Sequence, residues 1–388
     1  MEINFQRIRF QIILSTVILA QSSLGGGIMN KLTGIERISN ILNHKSVDRI
    51  GLYEHFWGDT HRTWAGQGKI APDAIMSDVF NHDMDECWAL NLVADLDFVP
   101  RVIEETETTQ VILDGNGAML RRHKEHDTTP EHVGYKIESR EDWLERIKPL
   151  LVPDPRRINF EAYRKMKEHC KKTNRFFVLS GVNVFEAIHP LIGHVNFLTN
   201  MIDDPEWIED MVDTYSSLIL NLQEILFEKE GMPDGIWYYE DMGYKGSPFM
   251  SPRMYKELIL PGHEKTFAHA HARKLPVIVH SCGFVEPLLP DLVHAGMDML
   301  QVIEIKAGMD LHRIYKNYGE KIGLMGGIDV RTLYTNDFEI IDRELESKIP
   351  FVKEGFGYVL HSDHSIPCTV QFETYKHFIE KGLELGKY

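Results

Sequence analysis

From residue 33 onward, short apolar runs alternate with stretches in which apolar positions recur every three or four residues, the two patterns of buried strands and amphipathic helices. Thr33-Gly-Ile-Glu36 has the form of a capping box and predicts a helix over 35–43. Apolar runs begin at Arg49, Leu96, Phe176, Gly235, Val277, Met297, Ile322 and Tyr358, eight in all, and each reads as a strand. Helical patterning fills 74–92, 160–171, 203–229, 252–274, 285–295, 308–318, 337–354 and 373–385, with Asp203 and Asp204 before Pro205 as a clear start signal. Eight strands, each followed by a helix, predict an α/β protein of the (β/α)8 TIM barrel type. One stretch breaks the rhythm: residues 110–123, with Asp114-Gly-Asn-Gly117 at their centre, predict an inserted β-hairpin in the N-terminal half, and the charged stretch 127–146 continues the excursion.

The chain start has a different pattern. Arg7 and Arg9 precede an apolar run over 10–20, followed by Gln-Ser-Ser-Leu-Gly-Gly-Gly, a signal-like order of parts in a run too short to span a bilayer. The competing reading opens the functional chain at Met29. Residues 1–28 are therefore expected to be an N-terminal extension, or a signal-like segment, and 29–388 a single barrel domain.

Composition narrows the function classes. The 388 residues are 43% hydrophobic and 26% charged, enough apolar chain for a large core. A formal net charge of −16 argues against a nucleic-acid or anionic-membrane partner. The four cysteines, Cys87, Cys170, Cys282 and Cys368, are widely and irregularly spaced. They make no disulfide framework, and a reducing, cytoplasmic location is expected.

Candidate chemistry concentrates where apolar runs end. Residues 276–283 read Pro-Val-Ile-Val-His-Ser-Cys-Gly, so His280 and Cys282 sit where a buried strand runs out. Residues two apart on a strand share a face, and an imidazole with a thiolate is a natural zinc pair. An isolated His-x-Cys arises often by chance; the rest of the chain gives it weight. Glu54, Asn183, Glu240, Asp241, Glu304, Asp329, Asp363 and His364 all lie at or just after the ends of other apolar runs. In a barrel those positions open onto one face, the carboxyl-end face that carries active sites. Glu54, Glu240, Asp241 and Asp363 are the candidate catalytic carboxylates, and Asn183 and Asp329 the candidate cofactor contacts. A catalytic zinc needs a third protein ligand: His364 is the first candidate and Cys368 the alternative, while Glu240 or Asp241 could also complete the shell. A metal-free arrangement, with Asp363 orienting His364 as a general base, is a further option.

The ordered motifs carry a resemblance. Gly-Ile-Glu-Arg-Ile near the start, Glu240-Asp241-Met-Gly-Tyr followed by Met250-Ser-Pro-Arg-Met-Tyr, His280-Ser-Cys-Gly283, Gly326-Gly-Ile-Asp329 and Asp363-His-Ser-Ile-Pro367 are similar to those of the uroporphyrinogen decarboxylase superfamily. Within it they resemble the corrinoid-linked methyltransferase branch, from about residue 35 to the C-terminus. That branch binds zinc through a His-x-Cys pair and a later cysteine. His280 and Cys282 match, His364 stands where the later cysteine belongs, and Cys368 lies four residues beyond. The decarboxylases carry an Arg-Gln-Ala-Gly-Arg motif for substrate carboxylates, whereas this first-strand region reads Tyr53-Glu-His-Phe-Trp-Gly-Asp59. The resemblance thus implies a zinc-dependent methyltransferase that moves a methyl group to or from a corrinoid protein, with demethylation of a methoxylated small molecule as one form. A His, Cys, His or carboxylate shell is harder than a thiolate-rich one and suits a Lewis acid acting on oxygen. Phe56, Trp57 and Trp64 near the first strand's exit would suit an aromatic substrate. The cobalamin belongs to a separate partner, because the chain lacks the Asp-x-His-x-x-Gly segment of corrinoid carriers. The alternatives are a decarboxylase of porphyrin biosynthesis and a barrel that binds without turnover.

Overall fold

The computed structural model describes residues 31–127 and 129–388. The expected extension at 1–28 lies outside the described residues. Thr33 caps the first helix, α1 (Gly34–Leu42): its hydroxyl accepts from the Glu36 N–H while the Glu36 carboxylate accepts from the Thr33 N–H.

Eight parallel strands follow: β1 (Gly51–Leu52), β2 (Met84–Trp88), β3 (Phe176–Val182), β4 (Gly235–Tyr239), β5 (Val277–His280), β6 (Met299–Val302), β7 (Gly323–Gly326) and β8 (Tyr358–Leu360). They form one curled sheet in the order β1-β8-β7-β6-β5-β4-β3-β2, each neighbouring pair parallel. The two outer strands approach each other: the Asp83 N–H donates to the Leu52 carbonyl at 2.9 Å, and the Leu52 N–H to Asp83 Oδ2 at 2.8 Å. Helices cover the outside, as parallel strands require.

The pleat sorts the strand residues. Val277 and Val279 join the apolar cluster shared with the helices, so Ile278 and His280 project to the other, inner side. Ile236 and Tyr238 likewise face the helices, which leaves Trp237 and Tyr239 inside. Tyr239, His280 and Gln301 are register partners on β4, β5 and β6, side by side in one inward layer. An apolar layer that includes Trp237, Ile278 and Met299 lies one pleat below, fully buried.

One strand departs from expectation. The run at 96 does not supply the second parallel strand; Met84–Trp88 does, inside the stretch predicted as helix, of which only Met76–Phe80 is helical. The strand was hidden by its acids. Asp85 lies 3.3 Å from the buried Arg175, and Glu86 lies 3.2 Å from His55, so charges that read as a solvated helix face are satisfied internally.

Between β2 and β3 the chain makes a four-stranded antiparallel sheet from Arg101–Glu105, Thr109–Leu113, Ala118–His123 and Glu131–Tyr135. The segment expected as a hairpin supplies its two central strands, with Gln110 opposite Arg122. The last strand packs on the helix that follows β3, α2 (Val184–Asp203), which breaks at Gly193. Gly193 is at φ +75°, and a Cβ there would lie 2.4 Å from the Tyr135 ring, so the ring rests where no side chain can be. Among the described residues no helix is long and apolar enough to cross a membrane.

Candidate functional site

Strand β5 ends at His280, and Ser281-Cys282-Gly283 turns away against the segment after β4. The approach of the two segments is close. Gly283 is at φ +82°, and a Cβ on it would meet Gly243 backbone at 2.2 Å. Backbone bonds lock this crossing, with the Gly243 N–H donating to the Cys282 carbonyl at 3.2 Å and the Phe284 N–H to the Tyr244 carbonyl at 2.9 Å. Asp241 is thereby brought to Cys282, whose N–H donates to Asp241 Oδ1 at 2.9 Å.

The result is a cluster of three donor atoms. Cys282 Sγ lies 3.3 Å and Asp241 Oδ1 3.2 Å from His280 Nε2, and one ligand atom from each residue falls within 4.8 Å of the others. Burial raises the Asp241 carboxyl, but His280 and the Cys282 N–H outweigh it and hold the group down at about 2. Burial lowers His280, yet Asp241 and Gln301 leave it raised overall. The Cys282 thiol is pushed well up by burial and by the Asp241 and Glu304 carboxylates. A thiol so disfavoured as a bare thiolate fits a site where a cation would offset the charge.

Hydrogen-bond bookkeeping fixes the His280 ring. The buried His361 is held neutral, its pKa pushed well below the usual range by burial and by His55. Its Nδ1 faces the Ser362 carbonyl and must carry the proton, so its Nε2 accepts. Gln301 therefore turns its amide nitrogen to His361 Nε2, at 3.3 Å, and its oxygen to His280 Nδ1. His280 then donates from Nδ1, and Nε2, bare when the ring is neutral, is the nitrogen turned to Cys282 and Asp241. That is the tautomer a metal-binding histidine needs. Donor types and tautomer together fit a zinc ion.

The inward layer holds further groups that strand-end reasoning missed. His55 Nδ1 lies 3.1 Å from His361 Nε2, and the Tyr239 hydroxyl lies 2.9 Å from His55 Nε2 and donates to Glu86 Oε2 at 3.0 Å. The Tyr239 ring stacks on His280, centroids 4.6 Å apart. The signal was available: Glu86, Tyr239, Gln301 and His361 each stand two residues beyond an inward apolar residue, Met84, Trp237, Met299 and Val359.

The other expected residues fall outside the cluster. His364 borders the same central cavity but packs on Trp57, ring centroids 5.9 Å apart, and is not one of the converging donors. Cys368 sits beside Asp59, which together with burial raises its thiol. Glu240 is fully buried and accepts from the Phe185 and Glu186 N–H groups at 3.0 and 2.7 Å; His263 Nε2 lies 2.7 Å from it. Asp363 accepts from the Ile305 and Val330 N–H groups, both at 2.8 Å, and burial pushes it up to about 6. Glu54 accepts from the His55 and Ser362 N–H groups at 3.0 and 2.9 Å, and burial pushes it up to about 8. Glu304 accepts from the Gly283 N–H. The Asn183 amide donates to Thr266 at 2.8 Å, and Asp329 pairs with Arg331 at 2.6 Å. Of the predicted aromatics, Trp57 borders the central cavity, while Trp64 is core.

Two cavities open on the cluster, both touching Asp241 and Cys282. A central one of about 250 Å3 lies over the inward layer and is bordered by His55, Glu86, Tyr239 and His361. A larger one of about 940 Å3 lies between the inserted sheet and α2. Neither has a lysine or arginine among its described lining residues. Lys245, Lys306 and Arg331 border a third recess, of about 450 Å3, that also reaches Cys282.

These features define an α/β protein whose curled parallel sheet carries a candidate metal-binding cluster at its carboxyl end. The sequence model of the uroporphyrinogen decarboxylase (URO-D) family matches residues 145–383, and the chain belongs to that family. Among solved structures it is similar to one described as a methyltransferase from Methanosarcina mazei, with 17% identity and a TM-score of 0.63 over 91% of this chain and 99% of that one. That likeness shows the fold. A Xaa-Pro dipeptidase with bound methionine aligns over 58% of each chain at 13% identity and a TM-score of 0.30, too loosely to bear on function. No curated protein matches this chain by sequence.

Proposed function

We propose that this chain is a zinc-dependent methyltransferase that moves a methyl group to or from a corrinoid protein, demethylating a methoxylated small molecule. The observation that carries this reading is the convergence of Asp241, His280 and Cys282 beneath two cavities. Members of the superfamily are enzymes, and the similar fold of a methyltransferase agrees with the class. Asp241, His280 and Cys282 would hold the metal, and bound zinc supplies Lewis acidity to the oxygen or sulfur that loses or takes the methyl group. Gln301 orients His280, and His361 orients Gln301. His55, paired with Glu86 and facing the central cavity, is placed to hold or deliver a proton to a group bound there. His364 lines the same cavity as a substrate contact. The corrinoid stays on a cytoplasmic partner that docks at the sheet's carboxyl-end face. The sheet is read as a TIM barrel, with residues 29–388 as one domain and 1–28 as an extension.

A second reading, decarboxylation, is favoured by the family's own name. Against it, a polycarboxylate would meet Asp241, Glu186 and Glu86 in the two main cavities, with no lysine or arginine among their described residues. Of the cations at the third recess, Arg331 is paired with Asp329 and Lys306 with Glu304. The test is incubation of the zinc-loaded protein with a reduced corrinoid protein and methoxylated compounds, following the cobalt spectrum. Appearance of the methylated corrinoid spectrum, lost in His280→Ala, is expected. Consumption of uroporphyrinogen without any corrinoid change would transfer the assignment to the second reading.

A further inference from the structure

The larger cavity holds more than a surface depression would. One wall is the last strand of the inserted sheet, with His132 and Tyr135. The facing wall is α2, with His189 and His194, and Phe249 closes one side. The rings run on from one another: His132 to His189 at 5.8 Å, His189 to His194 at 4.2 Å, and His194 to Phe249 at 4.8 Å between centroids. Such a shelf offers flat, polarisable area to a ring. Two polar atoms on it lack partners. Nδ1 of His189, a residue only 7% exposed, and Nδ1 of His132 are both buried with no hydrogen bond among the described residues. A buried polar atom left unmatched is costly, and a bound oxygen would offset that cost.

Charge selects further. The described lining contains no lysine or arginine. The three histidines add no positive charge at neutral pH, because burial pushes His132, His189 and His194 each down to about 4. An anion would find no lysine, arginine or charged histidine among the described lining. A cation would find Asp241 engaged with Cys282 and His280, and Glu186, 2.9 Å from His189 Nε2, with its carboxyl pushed well above the usual range by burial and by Asp241 and Glu240.

We infer that this cavity seats an uncharged, oxygen-bearing ring compound, its hydroxyl or ether oxygens at His132 and His189 and its methyl group towards Asp241 and Cys282. The inference rests on the methyltransferase reading and names the substrate class for it. It also gives the inserted sheet a role, since among the described residues its last strand and the Thr129–Pro130 segment before it supply that wall.

The test is calorimetric titration of the zinc-loaded full chain with three probes: 2-methoxyphenol, its carboxylate 4-hydroxy-3-methoxybenzoate, and the cationic (3-methoxyphenyl)trimethylammonium. The expected result is that 2-methoxyphenol binds at least about tenfold more tightly than either charged probe. His189→Phe, which keeps a ring and removes the nitrogen, should weaken 2-methoxyphenol at least about fivefold and leave the zinc content unchanged. Equal or tighter binding of a charged probe overturns the inference, as does unchanged affinity in His189→Phe. If no probe binds while zinc is held and another methyl donor is turned over, the inference fails and the methyltransferase reading stands. If zinc is not held, that reading fails first.

Discussion

Glu54, Glu240, Asp363 and Glu304 lie at strand exits, where catalytic carboxylates are expected, yet the first three spend both oxygens on backbone N–H groups, and Glu304 divides its own between the Gly283 N–H and Lys306. They stitch the carboxyl-end rim together, while Asp241, His280 and Cys282 turn their donor atoms towards one another. Glu54 gives a sign to test. Its folded pKa, pushed up by burial to about 8, is above the ordinary glutamate value of 4.5, so the folded state keeps a proton that the unfolded state releases. Its contribution is therefore complete below about pH 4.5 and is lost as pH rises towards 8. Relative to the native protein, Glu54→Gln should gain thermal stability steadily as pH is raised from about 5 to 8; parallel midpoints across that range would contradict the assignment. Gln301 supplies the second test at this scale. Gln301→Leu removes the acceptor for His280 Nδ1 and should weaken zinc affinity about 10- to 100-fold in chelator competition, with the fold retained. The sequence located the rim carboxylates and the His280–Cys282 pair. It did not show that Glu240 points into backbone while its neighbour Asp241 points at Cys282, because direction at a strand end depends on the adjacent loop.

At the scale of elements, seven of the eight strands lie where apolar runs placed them, and β2 does not. A run containing Asp85 and Glu86 looks solvated unless Arg175 and His55 are known to wait beside it, and those partners are 90 and 31 residues away. Long-range satisfaction of this kind leaves no local pattern. The 96–102 run, by contrast, was apolar enough to read as a strand, but Val99 and Val102 are exposed, and strand structure starts only at Arg101, in the inserted sheet. The seam between that sheet and α2 depends on Gly193, held at φ +75°, ψ 154°, under the Tyr135 ring. That backbone region is essentially reserved for glycine, so Gly193→Val should cost about 2 kcal/mol or more. Thermal unfolding of the variant would show the loss; an unchanged midpoint would mean that the ring and the helix break are not coupled.

For the whole molecule, a fold shared across a superfamily leaves function to the site. The acidic chain, the two main cavities without lysine or arginine among their described residues, and the mixed oxygen, nitrogen and sulfur donors are the observations on which the proposal of metal-assisted chemistry on an uncharged substrate rests. The inserted sheet sets the size of the larger cavity, and the eight-stranded sheet fixes the donors beneath it. Everything turns on whether an ion sits between Asp241, His280 and Cys282. Metal analysis of the purified chain and its variants decides that: about one zinc per chain is expected, lost in Asp241→Ala, His280→Ala and Cys282→Ser and kept in His364→Ala and Cys368→Ser. Zinc that persists in the first three variants, or that disappears with His364 or Cys368 alone, would contradict the assignment.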